Sequence, residues 1–130
     1  MTELQGRTIM KGIASGELIC TNQGISFFGG VNGDTGIVEQ DGHELKGQSI
    51  AGKILAFPEG KGSTVGSYVL YRLKKNGKAP AAIINQSCET IVAVGCIIAE
   101  IPCIDQIDLT KLKSGQKAKV DGQKGTIAIV

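Results

Sequence analysis

The chain has 130 residues, 42% hydrophobic and 20% charged, which suits one globular domain over residues 1–130 and leaves no room for a large closed active site of its own. A formal net charge of +2 and 4% aromatic residues argue against a nucleic-acid reader, which needs a dense basic face and stacking platforms. Nothing resembles a signal peptide and no apolar run reaches the roughly 18 residues of a membrane span, so the expected setting is cytoplasmic, with no membrane partner.

Glycine is 19 of the 130 residues, about twice the ~7% average, and its even spread implies turns and close backbone approaches. In chain order, Gly12–Cys20 takes on β patterning toward its end. Ile25–Phe28 reads as a short strand broken by Gly29-Gly30. Asn32-Gly33-Asp34 is turn chemistry, because Asn and Gly tolerate positive φ. Ile37–Glu39 resumes a strand, and Asp41-Gly42 turns again. Ile50–Phe57 is the clearest strand, and Pro58 ends it because proline donates no ladder hydrogen bond. From Ser63 the period changes: Val65, Tyr68, Val69, Arg72 and Leu73 lie three or four apart, the spacing of a helix. That helix runs to Lys75 and stops at Asn76-Gly77 with lysines in its last turn.

Ala81–Ile84 reads as a buried strand. Ser87 is placed to cap a second helix from Cys88 to Ala99, with Glu89 near its positive end; the Ile and Val content leaves a strand as the alternative. Ile101–Ile104 is a further short strand, and Val120–Gly122 with Gly125–Val130 make a final hairpin. The elements add up to a mixed α/β domain, a β-rich frame with two main helices.

The four cysteines, Cys20, Cys88, Cys96 and Cys103, make no Cys-x-x-Cys pair, and the one histidine, His43, is far from them in sequence. That pattern argues against a metal site and for reduced, buried thiols. His43 lies in a polar, turn-rich stretch and reads as a surface residue. The C-terminal lysines from Lys111 to Lys124 read as a solvated face.

Gly60-Lys61-Gly62-Ser63-Thr64 is the segment with chemistry in it. The glycines permit a sharp turn and a close ligand. Ser63 or Thr64 then stands at a helix N-cap, where free N–H groups favour negative charge and Lys61 adds a mobile cation. A hydroxyl there can cap the helix, bind an anion or take part in chemistry; the plainest reading is a cap and a turn. A P-loop does not match, because Gly62 separates Lys61 from Ser63. A dinucleotide fingerprint does not match either, because its third glycine, Gly66, comes one residue late.

The run Phe57-Pro58-Glu59-Gly60-Lys61-Gly62-Ser63-Thr64-Val65-Gly66-Ser67-Tyr68-Val69-Leu70 resembles the signature of the aconitase X small, or swivel, subunit family. Phe28-Gly29-Gly30-Val31, Thr35-Gly36, Leu45–Lys53 and Gly95–Pro102 follow that family's order over most of the chain. The match departs at Asn32-Gly33-Asp34, where the family pattern has an aspartate and a proline before Thr35-Gly36.

The resemblance implies a single-domain swivelling β/β/α fold and a hydro-lyase that works only with a large partner subunit, as a heterodimer. It implies an iron–sulfur cluster held by that large subunit, with no cofactor and no metal on this chain. It implies Ser63 as the catalytic proton acceptor, with Gly60, Lys61, Gly62 and Thr64 shaping the turn and contacting substrate. The substrate implied is a phosphorylated hydroxy acid, mevalonate 5-phosphate, dehydrated to trans-anhydromevalonate 5-phosphate in an archaeal-type mevalonate route to isoprenoids. Two alternatives stand beside it: a dehydratase of the same family acting on a hydroxyproline, and a non-catalytic swivel or anion-binding module.

Overall fold

The strand β3 (Ile13–Cys20) organises the domain because it serves two sheets in succession. The structure, a computed structural model, describes residues 2–130. Ile13–Glu17 of β3 pairs antiparallel with β7 (Lys117–Asp121), which continues through β8 (Thr126–Ile129) to β1 (Thr2–Gln5). Leu18–Cys20 pairs parallel with β4 (Ile54–Phe57), followed by β5 (Ala82–Asn85) and β6 (Cys103–Asp105), also parallel. The strand β2 (Arg7–Met10) closes that edge antiparallel to β6, giving the order β1-β8-β7-β3-β4-β5-β6-β2.

Parallel neighbours need crossovers, and two helices provide them: α2 (Gly66–Lys75) between β4 and β5, and α3 (Thr90–Ala99) between β5 and β6. The period of two along the strands sorts their side chains into two cores. Leu55, Phe57 and Ile83 join Leu70, Leu73, Val92 and Cys96 under the helices. Ile54, Ala56, Ala82 and Ile84 face the other way, onto Ala118, Val120 and Ile127 of the antiparallel sheet. The result is two β layers and one α layer, the β/β/α arrangement expected. Every residue of β4 and β5 is buried, which is why Ile54–Phe57 and Ala82–Ile84 read as unbroken apolar runs. No helix among the described residues is long and apolar enough to cross a membrane.

Several elements differ from the sequence expectation, each for a local reason. Ile25–Phe28 is no strand: Ile25 makes only a single bridge to Gly60, and Phe27–Gly30 forms one irregular turn, α1, broken by Gly29 at φ +81°. Ile37–Glu39 likewise makes only isolated bridges, Val31 to Val38 and Ile37 to Ser49. The strand expected from Ile50 begins at Ile54, because Gly52 turns the chain at φ +70°. The Asn32–Asp34 turn is present, but the Asn32 side chain builds it. Its Oδ1 accepts from the Asp34 and Thr35 N–H groups at 2.8 and 3.2 Å, and the positive φ falls on Gly36.

The helix expected from Ser63 starts at Gly66, after a leading turn. The cap of α3 is Glu89 and not Ser87: its carboxylate accepts from the Ile91 and Val92 N–H groups at 2.9 and 2.8 Å. Val92, Gly95, Cys96 and Ala99 then form a buried helical stripe, and Gly95 lets Leu70 of α2 sit against the backbone, which decides helix over strand. His43 is buried, not on the surface. Its Nδ1 accepts from the Leu45 N–H at 3.0 Å, and Leu45 roots this loop in the helix-side core. The strands β1 and β2 had no counterpart in the sequence reading; their residues are mostly exposed and carry no alternating pattern.

Candidate functional site

The chain leaves β4 at Phe57 and enters α2 at Gly66, and the segment between them is fixed at several points. The Pro58 carbonyl accepts from the Gln86 and Ser87 N–H groups, both at 3.1 Å, which ties it to the end of β5. Ile25 N–H donates to the Glu59 carbonyl at 3.2 Å, and Lys61 N–H donates to the Ile25 carbonyl at 3.0 Å. Gly60 is buried: a Cβ there would meet Val92 Cγ2 at 2.5 Å and the Glu89 carboxylate at 2.6 Å. Gly62 sits at φ +91°, and a Cβ there would overlap the Ser26 hydroxyl oxygen. Both positions therefore require glycine for space, and Gly62 also for conformation.

Behind this turn stands Phe27, whose ring meets Phe57 edge-on at 5.8 Å and 65°. Such a pair contributes about 0.5–1.5 kcal/mol beyond its buried area. It holds Ser26 beside Gly62, while the Ser26 N–H donates to Gln40 Oε1 at 2.9 Å and its hydroxyl donates to the Phe28 carbonyl at 3.2 Å. Phe28 and Val65 are exposed on either side, at 54% and 42% of their surface.

Lys61, Gly62, Ser63 and Thr64 are all exposed. Ser63 is not the N-cap of α2; that position is Val65, which has no side-chain cap. Ser63 Oγ accepts from the Val65 N–H at 3.2 Å, and the Ser63 carbonyl accepts from the Gly66 N–H at 2.9 Å. The next two N–H groups, of Ser67 and Tyr68, bond back to Thr64 and Val65. The first-turn N–H groups are thus already used. The free ones come earlier: among the described residues, the N–H groups of Gly62, Ser63 and Thr64 donate to no other group. Three consecutive free donors around a left-handed glycine are suited to negative charge, and they flank the Ser63 hydroxyl. Lys61 makes no ion pair among the described residues.

The sequence reading named Gly60, Lys61, Gly62, Ser63 and Thr64, and one turn brings them together. It missed Ser26 and Gln40, which brace the turn from a distant stretch of chain without any local signal. Glu89 carried a signal, an acid ahead of an apolar helix, and its carboxylate also abuts Gly60.

The donor chemistry does not fit a metal or an iron–sulfur cluster on this chain. Among the described residues no three His, Cys, Asp or Glu side chains converge. Cys88 and Cys103 stand with their sulfurs 3.9 Å apart. The contact with Cys103, followed by burial, pushes the Cys88 thiol up. Cys103 is also held above the ordinary range: the Cys88 contact opposes this, but the Cys96 contact and burial prevail. Burial and the neighbouring sulfurs thus favour the neutral thiol at both positions.

Two sheets sharing one strand, helices on one face, and a hydroxyl on a glycine turn at the carboxyl end of a parallel strand define a swivel-type β/β/α module. Residues 3–129 match the profile of the aconitase X swivel domain, and the chain belongs to this family. It is 58% identical over 127 residues to the phosphomevalonate dehydratase small subunit of Thermococcus onnurineus, covering 98% of each chain. It is 53% identical over 131 residues to the protein of the same name from Methanosarcina acetivorans, covering 98% of this chain and 91% of that one. The crystal structure of aconitase X from Thermococcus kodakaraensis, in its holo form, superposes with a TM-score of 0.99 at 55% identity, covering 100% of this chain and 99% of that one.

Proposed function

We propose that this chain is the small subunit of a hydro-lyase that removes water from mevalonate 5-phosphate, giving trans-anhydromevalonate 5-phosphate, and that Ser63 is its base. The observation that carries the reading is the Ser63 hydroxyl, exposed and flanked by three unpartnered backbone N–H groups. Relatives that match nearly the whole chain bear the name phosphomevalonate dehydratase small subunit, which supports the substrate and the existence of a larger partner.

A serine hydroxyl is a weak base in water, so its alkoxide needs stabilisation. The Val65 N–H already donates to Ser63 Oγ, and the N–H groups of Gly62, Ser63 and Thr64 supply positive potential beside it. Exposure works against this effect, because water screens it. A partner that closes over the turn removes the water and strengthens every one of these contacts.

In the closed site the Ser63 alkoxide, formed when the hydroxyl gives its proton to solvent before closure, takes the proton from the carbon next to the substrate carboxylate. The electron pair of that C–H bond becomes the new C=C bond, and the C–O bond to the neighbouring hydroxyl breaks. Lys61 pairs with an anionic group of the substrate. The acid that receives the leaving hydroxyl belongs to the large subunit, and so does any iron–sulfur cluster, since no donor set here fits one.

The test is reconstitution of the two subunits followed by a dehydration assay on mevalonate 5-phosphate and on a hydroxyproline. Turnover of the phosphorylated substrate by the pair, and by neither subunit alone, is the expected result. Turnover of the hydroxyproline alone would replace the substrate, and full activity of the large subunit by itself would overturn the shared site.

A further inference from the structure

A groove of about 820 Å³ runs along the carboxyl ends of the parallel strands, on the same rim as Ser63. Its walls are the residues that follow β3, β4, β5 and β6 in turn: Thr21, Pro58, Gln86, and Gln106–Thr110 with Leu112. In open α/β sheets this rim is where occupants bind. Ser63 is not in its walls, but Pro58 is, and Pro58 begins the turn that carries Ser63.

The lining gives the groove a definite chemistry. Pro58, Ile107 and Leu112 provide an apolar floor. Glu44 and Asp108 provide two carboxylates, and among the described residues no lysine or arginine lines it, although Lys111, between Thr110 and Leu112, adds its charge to what holds Asp108 ionised. Asp108 stays ionised, because the Thr110 hydroxyl and N–H both donate to it and hold its carboxyl below the usual range. Gln106 is held at φ +62°, a costly conformation for a non-glycine residue, by its N–H bond to the Gln86 carbonyl at 3.0 Å. A phosphate or carboxylate entering here would meet like charge, so the groove does not suit the anionic substrate.

We infer that the groove receives a basic segment of the large subunit, a Lys or Arg side chain set between Glu44 and Asp108 with apolar neighbours on the floor. The inference rests on the proposed two-subunit enzyme and names the surface through which the partner is held. Pro58 belongs both to the groove and to the turn that carries Ser63, so a partner that closes over Ser63 has this groove beside it. A separate exposed apolar surface, Val94, Ile97 and Ile98 on α3, serves as the comparison.

The experiment measures the dissociation constant between this chain and the purified large subunit at several salt concentrations. The variant Glu44→Lys with Gln86→Lys is compared with Ile97→Lys with Ile98→Lys, after circular dichroism shows both folded. Glu44 and Gln86 are exposed and their side-chain atoms take part in no helix or strand, so the first pair of changes leaves the fold intact. The expected result is affinity weakened at least tenfold by Glu44→Lys/Gln86→Lys, with loss of the salt dependence that the unaltered chain shows. The helix-face variant is expected to bind within twofold of the unaltered chain. Binding within twofold by Glu44→Lys/Gln86→Lys overturns the inference, and so does a raised KM for substrate with assembly unchanged, which would make the groove a substrate site. Failure of the unaltered chain to bind any large subunit is a different result, and it overturns the two-subunit reading itself.

Discussion

Gly62 faces Ser26 so closely that a methyl group on its Cα would overlap the Ser26 hydroxyl, at a backbone φ of +91°. Two separate effects therefore oppose any side chain there, a left-handed conformation and a blocked space. Gly62→Ala is expected to cost about 1–3 kcal/mol and to lower the melting temperature by several degrees. Ser26→Gly should return the steric part and leave the conformational part, so the double variant falls between. Equal stability of Gly62→Ala and the unaltered chain in chemical denaturation would show that the turn relaxes freely.

Glu89 holds the start of α3 by accepting from two N–H groups, and its carboxylate also abuts Gly60. Removing the cap with Glu89→Ala should cost about 1–2 kcal/mol. Glu89→Ser keeps a capping oxygen and should recover at least half of that. Urea titrations of the three proteins check the order, and an Ala variant as stable as the Ser variant would refute the cap.

The sequence made the central strands and the Ser63 turn legible for physical reasons that failed elsewhere. Ile54–Phe57 and Ala82–Asn85 are buried on both faces, so the apolar runs Ile54–Phe57 and Ala82–Ile84 needed no partner to be recognised. The turn announced itself through its glycines, since Gly60 and Gly62 answer to crowding that only glycine tolerates. Ile25–Phe28 looked like a strand because Ile25, Phe27 and Phe28 are apolar, but only Ile25 and Phe27 are buried, and by loop packing, with Phe27 against Phe57. His43 was misplaced for the converse reason: a polar neighbourhood in sequence is folded under by Leu45. The free N–H groups were expected one turn later, because the sequence does not show that Ser63 itself accepts the Gly66 N–H.

Burial pushes the Cys20 thiol up to about 11, with the Ser114 contact partly opposing it. At pH 8 only about one such thiol in a thousand is thiolate. Alkylation of native Cys20 by iodoacetamide should rise tenfold per pH unit to beyond pH 10, read by mass spectrometry. A plateau near pH 8.5 would place the thiol in solvent. Above the unfolded value of about 8.5 and up to about 11 the folded chain binds more protons than the unfolded one. Stability should therefore fall as pH rises through that window, with Cys88 and Cys103 acting in the same direction.

Lys61 is exposed, unpaired among the described residues, and adjacent to the free N–H groups. In the reconstituted enzyme Lys61→Ala should raise KM about tenfold, the effect of losing one charge-assisted contact, with kcat changed far less. Unchanged KM and kcat would make Lys61 an ordinary surface charge.

The shared-site account stands most directly on Ser63→Ala, measured as single-turnover dehydration of mevalonate 5-phosphate by the assembled pair. Ser63 is exposed and its side chain makes one local contact, so folding and assembly should survive the change. The account predicts substrate binding close to normal and a chemical step slowed by about 10²–10⁴, the usual contribution of a positioned base. A chemical step within a few-fold of the unaltered enzyme, with assembly verified, would contradict it.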